Sequence, residues 1–158
     1  MTAAVVCVGR LREKGYAAAA EEYLKRLSRY GKTEIIELPD LPEPTNASDA
    51  DRAQVMEKEG QGILARLKPA DHVVALCIDG PQMTSEAFAA RLSQLEMRGN
   101  RVVFVIGGSL GLSPAVVHRA DERLSLSQMT FPHQLARVLL LEQLYRACKI
   151  NAGERYHK

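Results

Sequence analysis

Apolar residues occur along this chain in short continuous runs, separated by stretches with the apolar spacing of a helix face. The clearest run, Val102 to Ile106, has five consecutive apolar residues rich in β-branching, which is typical of a central strand in a parallel sheet. The pattern predicts strands at 3–8, 33–38, 72–78, 102–106 and 123–126, and helices at about 16–30, 49–67, 85–97, 114–119 and 132–149. This alternation predicts an α/β fold with a mainly parallel sheet of about five strands.

With 158 residues and 46% apolar content, the chain suits one well-buried domain covering residues 1–158. No stretch approaches the roughly 18 to 20 apolar residues of a membrane span, and the first residues lack the order of a secretory signal. We therefore expect a cytoplasmic protein with no membrane partner. Cys7, Cys77 and Cys148 lack the paired spacing of a zinc site, so we expect buried structural thiols and no metal.

Three predicted strands end in segments suited to ligand loops: Leu76 to Gly80, Gly107 to Gly111 and Leu126 to Phe131. Ligands of parallel sheets sit at such strand ends, and the loops would converge if their strands are neighbours. Ser113-Pro114 predicts a helix start directly after the glycine turn. The turn matches neither the dinucleotide fingerprint nor a Walker loop, so a plain tight turn stays open beside a ligand loop.

Several polar residues have both a functional and a structural interpretation. His133, near a helix start, could be a base or a satisfied structural histidine, and Asp79 could be catalytic or a turn residue. Arg146 follows Glu142 by four residues, so an intrahelical ion pair competes with an anion-binding role. The basic tail, Arg155 to Lys158, is either a frayed end or a group able to accept a proton, stack on a base and hold a phosphate.

The last helix carries two apolar stripes, one of Leu141, Leu144, Tyr145 and Cys148 and another of Leu135, Val138 and Leu139. One face would pack on the sheet. A second copy of the chain would cover the other, unless Tyr30 and the first helix do so.

Charge is unevenly distributed, because residues 1–32 and 131–158 are basic while the centre is acidic. If the fold brings the two ends together, they form either a surface for a polyanion or ordinary solvated faces.

No nucleophile elbow, metal-ligand spacing or conventional triad is visible. Chemistry that needs no protein nucleophile therefore fits this sequence better than hydrolysis does. Group transfer from an activated donor is chemistry of that kind. Such an enzyme mainly aligns two reactants and removes a proton.

Several segments together carry a family resemblance: residues 105–112, 124–138 and 142–147, with Val8-Gly9, Glu22-Tyr23, Lys58-Glu59-Gly60 and Tyr156-His157. In these segments the chain resembles the SPOUT superfamily of methyltransferases, and within it the small large-subunit ribosomal RNA pseudouridine N3-methyltransferases.

The resemblance implies a C-terminal trefoil knot (the α/β-knot of the SPOUT fold), a homodimer, and S-adenosylmethionine as cofactor. By position it places the cofactor against nine residues: Leu76, Gly107, Gly108, Leu126, Ser127, Gln128, Met129, Thr130 and Phe131. Backbone groups would bind the adenine, and apolar side chains would enclose it.

The implied substrate is a pseudouridine in a stem-loop of 23S rRNA on the assembled ribosome, with no DNA, membrane or metal partner. By position, Arg146 would contact an anion or phosphate, Tyr156 would stack, and His157 would act as base. The competing hypothesis is a non-catalytic, ribosome-associated RNA-binding dimer. The intact glycine loop and the Met129 to Pro132 loop argue against it, because RNA binding alone requires no cofactor pocket.

Overall fold

A single five-stranded sheet, with every paired strand parallel, forms the centre of the molecule. The computed structural model describes residues 1–157, so Lys158 of the predicted basic tail lies outside the described residues. The elements in chain order are β1 (Thr2–Val8), α1 (Lys14–Leu27), β2 (Lys32–Leu38), α2 (Asp49–Leu64), β3 (His72–Leu76), α3 (Ser85–Arg98), β4 (Val102–Ile106), α4 (Pro114–Arg119), β5 (Glu122–Leu124) and α5 (His133–Asn151). The strand order is β2-β1-β4-β3-β5. The predicted α/β fold with its parallel sheet of about five strands is confirmed.

Helices cover both faces of the sheet, which explains why its central strands are apolar on both sides. On one face α1, α3 and α5 pack together over residues such as Val5, Phe104 and Leu144. On the other face α2 and α4 cover Val6, Val103 and their neighbours. Every residue of β4 is buried, as the continuous apolar run predicted.

Side-chain caps fix where three helices begin. The Ser48 hydroxyl accepts the Asp51 backbone N–H at 3.1 Å, and the Asp51 carboxylate accepts the Ser48 N–H at 3.0 Å, which forms a capping box on α2. The Thr84 hydroxyl accepts from Ala87 at the start of α3. The predicted helix start at Ser113-Pro114 is confirmed, because the Ser113 hydroxyl accepts the Val116 N–H.

Two strands end earlier than predicted. The expected strand 72–78 ends at Leu76, because the Gly80 N–H donates to the Cys77 carbonyl and turns the chain away from the sheet. Ile78 is consequently 53% exposed. The expected strand 123–126 runs over Glu122–Leu124 instead, since Ser125 donates its N–H to the Pro81 carbonyl outside the ladder. The residues that follow the two shortened strands therefore belong to the loops at the carboxyl edge of the sheet.

The two apolar stripes of α5 differ in burial. Leu141, Leu144, Tyr145 and Cys148 are buried, and Tyr30 packs edge-on against the Tyr145 ring with centroids 6.3 Å apart. The first helix and Tyr30 therefore cover this stripe from within the chain. Leu135, Val138 and Leu139 remain half-buried. That a second copy covers α5 stays a prediction.

Candidate functional site

The three loops predicted to converge do lie side by side, since β4, β3 and β5 are consecutive strands of the sheet. Their carboxyl ends form the floor of a cavity of about 560 Å³. This volume falls in the range of roughly 300 to 1,000 Å³ that is usual for small-molecule sites. The cavity also lies where parallel sheets hold their ligands.

Eight of the nine residues predicted to hold the cofactor line this cavity: Leu76, Gly107, Gly108, Leu126, Ser127, Met129, Thr130 and Phe131. The ninth, Gln128, is exposed and is not among the lining residues. That these residues bind a cofactor stays a prediction, but the fold brings nearly all of them to one place.

The glycine loop is closed so tightly that Gly107 admits no side chain. A β-carbon on Gly107 would lie 2.5 Å from the backbone carbon and oxygen of Gly111, well inside contact distance. The Gly111 N–H donates to the Gly108 carbonyl at 3.0 Å and closes the turn. Gly111 itself has a φ of 85°, which glycine adopts without strain. The loop therefore presents bare backbone to the cavity.

Serine hydroxyls shape the opposite wall, in the segment that follows β5. The Ser125 hydroxyl donates to the Ser127 carbonyl at 2.9 Å, and the Met129 N–H donates to the Ser127 hydroxyl at 3.0 Å. Such local bonds replace a regular ladder. They leave Met129 74% exposed at the rim of the cavity.

A buried carboxyl group lies behind the glycine loop. Glu59 of α2 is only 7% exposed, and its carboxylate oxygens lie 3.5 and 3.6 Å from the position of a β-carbon on Gly108. Burial raises the pKa of Glu59, while the hydrogen bond from the Leu41 backbone opposes that shift. Within the Lys58-Glu59-Gly60 motif, Glu59 thus lies next to the glycine loop without being among the residues that line the cavity.

Two residues given structural interpretations from sequence also line the cavity. Cys77 was expected to be a buried thiol, but it is half-buried because the chain turns out of the sheet at this point. His133, the first residue of α5, lies on the cavity wall. Asp79 is exposed, with its carboxylate 3.7 Å from Arg123. The order of the strands in the sheet decides which of these side chains reach the cavity. The sequence pattern does not give that order.

Arg146, Tyr156 and His157 come together on the side of the molecule where α5 packs on α3. The Arg146 Nη1 lies 3.2 Å from His157 Nδ1, and its guanidinium carbon lies 4.8 Å from the centre of the Tyr156 ring. None of the three is among the residues lining the 560 Å³ cavity. The described part of the tail is therefore folded against the helices.

Two carboxylates hold this group in place. Glu142 accepts two bonds from the Arg146 guanidinium, at 3.3 and 2.5 Å, and one from the Tyr156 hydroxyl at 3.2 Å. Glu86 of α3 lies 2.6 Å from His157 Nε2. Burial and neighbouring groups raise the pKa of Tyr156 to about 12, so its phenol remains a hydrogen-bond donor at neutral pH. The intrahelical ion pair considered from sequence is present as part of the cluster.

Among residues 1–157, no group of three or more His, Cys, Asp or Glu side chains could hold a metal ion. Within the same range, no helix combines the length and the apolar character needed to cross a membrane.

The fold and the cavity define a class: an α/β domain whose parallel sheet carries a loop-built pocket at its carboxyl edge, as cofactor-dependent α/β enzymes do. The chain belongs to the SPOUT methyltransferases, because the family model described as predicted SPOUT methyltransferase matches residues 1–157.

Named relatives agree with this family, and a solved structure shares the fold. A protein of Bifidobacterium animalis subsp. lactis named ribosomal RNA large subunit methyltransferase H is 55% identical over 155 residues, or 98% of each chain. A protein of Bacillus cereus with the same name is 52% identical over 159 residues, covering all of both. A probable methylase family protein from Haemophilus influenzae matches 99% of this chain and 70% of its own, with a TM-score of 0.57 and 12% identity, which shows the fold alone. The trefoil knot stays a prediction from the family.

Proposed function

We propose that this chain transfers a methyl group from S-adenosylmethionine to N3 of a pseudouridine in a stem-loop of large-subunit (23S) ribosomal RNA, on the assembled ribosome. The family and the names of the relatives support a methyltransferase acting on large-subunit RNA. The observation that carries the proposal is the cavity of about 560 Å³, with its bare glycine loop and apolar walls.

The lining of the cavity suits this cofactor. Leu76, Leu126 and Phe131 supply apolar walls for an adenine ring, and the loops at 107–111 and 126–131 supply backbone groups to bind its edges. None of the described residues that line the cavity is Lys or Arg, so no fixed cation there opposes a positively charged sulfonium. When bound, the cofactor supplies an electrophilic methyl group.

The Arg146 cluster suits the acceptor. N3 of pseudouridine belongs to an imide, so its proton must leave before the nitrogen pair can bond to a methyl carbon, and a nearby cation stabilises the resulting anion. Arg146 supplies that cation and Tyr156 an aromatic surface for stacking.

His157 is our candidate for the proton acceptor. Arg146 can only donate, so His157 Nδ1 accepts from it and Nε2–H donates to Glu86. Nδ1 therefore becomes available for the substrate proton once Arg146 turns to the substrate anion.

The basic ends of the chain provide a surface for RNA. The fold brings the two basic ends of the chain together, because α1 packs against α5. Lys25 and Arg26 of α1 and Arg29, which follows the helix, lie around one surface depression with Lys149 of α5. Clustered cations of this kind bind phosphates with an affinity that falls as salt rises. We further propose that the protein acts as a homodimer in the cytoplasm, where its substrate is assembled.

The decisive experiment incubates ribosomes, free large subunits and naked RNA with isotope-labelled S-adenosylmethionine and maps the product by mass spectrometry. We expect one added methyl group on a pseudouridine of the large-subunit RNA, with ribosomes the best substrate. A His157→Ala variant that keeps wild-type turnover at every pH would remove the base role alone. Calorimetry showing no binding of S-adenosylmethionine would instead favour a non-catalytic RNA-binding dimer.

A further inference from the structure

The segment that leads from β1 into α1, residues 9–14, is a basic loop. Arg10, Arg12 and Lys14 are exposed, and none of the three forms an ion pair within residues 1–157. Glu13 is the only carboxylate of the loop, so three cations against one anion leave it a net charge of +2. Its two arginines are therefore available to an anion from outside the chain.

The cations of the depression between α1 and α5 differ in this respect. The Arg26 Nε lies 3.0 Å from a Glu22 carboxylate oxygen, and the Lys149 Nζ lies 2.8 Å from one of Glu154. A phosphate that binds there must compete with a carboxylate already in place, which offsets part of its attraction. The unpaired arginines of the basic loop require no such exchange.

A buried arginine of α5 anchors the basic loop where it leaves β1. Arg137 is only 2% exposed, and its guanidinium donates to the Gly9 carbonyl at 2.9 Å and to the Glu37 carboxylate at 2.6 Å. Its Nε has no hydrogen-bond partner within residues 1–157. Burying a guanidinium with one N–H unpaired costs free energy. The fold thus gives up some stability at this point and gains a fixed loop.

Two further hydrogen bonds hold the backbone of the loop beside its cations. The Glu37 carboxylate also accepts the Leu11 N–H, at 3.3 Å, and Gln134 Oε1 of α5 accepts the Arg12 N–H at 3.2 Å. Side chains of β2 and α5 therefore fix the loop at Gly9, Leu11 and Arg12. A loop fixed before binding loses little further conformational freedom when it contacts a partner.

The basic loop lies at the rim of the cofactor cavity. An open depression of about 540 Å³ beside the loop shares Pro132 and His133 with that cavity. A β-carbon on Gly9 would lie 3.8 Å from His133 Nε2. The methyl acceptor has to reach the donor in the cavity, so the RNA strand that carries it must cross the rim. The remaining walls of the depression come from the starts of α1 and α5: Glu13, Gly15, Tyr16 and Gln134.

We propose, relying on the proposed function, that Arg10 and Arg12 bind backbone phosphates of the ribosomal RNA next to the target nucleotide. A guanidinium offers a phosphate two parallel N–H donors and keeps its charge at every physiological pH. Phosphate contacts fix the position of a strand and carry no sequence information directly. The basic loop thus aligns the RNA over the cofactor cavity, and other groups select the base.

The test measures binding of the full-length protein to ribosomes over a series of salt concentrations at constant magnesium, together with methyl transfer. Arg10→Gln and Arg12→Gln should each weaken binding about tenfold at low salt, the usual effect of one lost hydrogen bond to a charged group. Each should also reduce the slope of log Kd against log salt by about one. The KM for ribosomes should rise while kcat stays within about twofold, because these contacts bind the ground state and the transition state alike.

Arg98→Gln is the matched control because it removes the same charge from a different place. Arg98 is exposed and forms no ion pair within residues 1–157, but it ends α3 at the amino edge of the sheet, opposite the cavity. This variant should keep the wild-type affinity and salt slope. Binding of S-adenosylmethionine to Arg10→Gln and Arg12→Gln should stay within about twofold of wild type, which also shows that both variants are folded.

Three results would overturn the assignment. Wild-type ribosome affinity and salt slope in both loop variants would mean that the basic loop does not contact the RNA. An equal loss of affinity in Arg98→Gln would mean that only the total charge of the protein matters. A loss of S-adenosylmethionine affinity comparable to the loss of activity would mean that the arginines hold the donor. A wild-type protein that binds ribosomes through these arginines but transfers no methyl group would instead refute the proposed function, while the RNA contact would stand.

Discussion

At the scale of single residues, Gly107 shows how strictly the loop at the end of β4 limits its own sequence. Its α-carbon faces the backbone of Gly111 across the closed turn, and the closest approach of an added β-carbon is 2.5 Å. Backbone cannot move aside as the end of a flexible side chain can. Any side chain at this position must therefore open the loop.

Gly107→Ala should weaken binding of S-adenosylmethionine by at least about tenfold, because opening the loop displaces the backbone that lines the cavity. Isothermal titration calorimetry measures the change. Gly15→Ala is the matched control: apart from the adjacent residues and the backbone of its own helix, nothing lies within 4 Å of its added β-carbon, and alanine is the better helix former in α1. Equal affinity of Gly107→Ala and wild type would show that the loop does not shape the binding site.

Tyr156 makes stability depend on pH in the alkaline range. Burial is the largest cause raising its pKa to about 12, above the value of about 10 in an unfolded chain. The folded state therefore holds this proton more tightly, so the contribution is complete below about pH 10 and is lost as pH rises through 12.

When the pH rises from about 8 to about 10.5, the free energy of unfolding should consequently fall less in Tyr156→Phe than in wild type. Urea unfolding at the two pH values gives the comparison, and Tyr16→Phe on α1 controls for removal of a phenol elsewhere. Parallel losses in Tyr156→Phe and wild type would contradict the prediction.

At the scale of elements, a buried ion pair joins the starts of β3 and β4. The Asp71 carboxylate, with 3% of its side chain exposed, accepts two bonds from the Arg101 guanidinium, at 3.0 and 2.7 Å. Burial alone would raise the pKa of Asp71, but Arg101 and the Lys68 backbone N–H outweigh it and lower the pKa. The pair therefore stabilises the fold above about pH 4, and its contribution fades as pH falls below that value.

Asp71→Asn should lower the free energy of unfolding at neutral pH by about 2 kcal/mol, because it leaves the largely buried Arg101 with only the more exposed Glu34, 3.3 Å away, as counter-charge. The acid sensitivity of the variant below about pH 4 should be smaller than that of wild type. Asp49→Asn breaks an exposed pair with Arg52 and should change stability by less than about 1 kcal/mol. Urea titrations at two pH values distinguish these outcomes, and equal effects of the two substitutions would count against the buried pair.

The sequence predicted the existence and type of all ten elements because periodicity is a local property. It missed the ends of β3 and β5, where the turn at Cys77 to Gly80 and the bond from Ser125 to Pro81 decide the boundary. Strand order depends on contacts between distant segments. The sequence pattern alone therefore predicted only that the loops converge if their strands are neighbours. The resemblance to a family supplied the candidate residues.

At the scale of the whole molecule, the half-buried stripe of Leu135, Val138 and Leu139 on α5 matches the proposed homodimer. The chain mass is 17.4 kDa. Sedimentation equilibrium should give twice this mass for wild type, and Val138→Glu should shift the protein toward the single-chain mass, because it would bury a charge at the contact. Ala90→Glu, on the exposed face of α3, is the control and should remain dimeric. A dimer that persists in Val138→Glu would place the contact elsewhere.

The position of β1 also has a consequence for how the chain folds. β1 is hydrogen-bonded to β2 on one side and to β4 on the other, and the second partner begins at Val102. Roughly two thirds of the polypeptide must therefore leave the ribosome before this interior strand of the sheet finds both neighbours. Pairings between such distant segments are slow to form and leave apolar strand edges open in the meantime. We expect refolding from urea to be slow, and newly made chains to depend on protection from aggregation until β4 is in place.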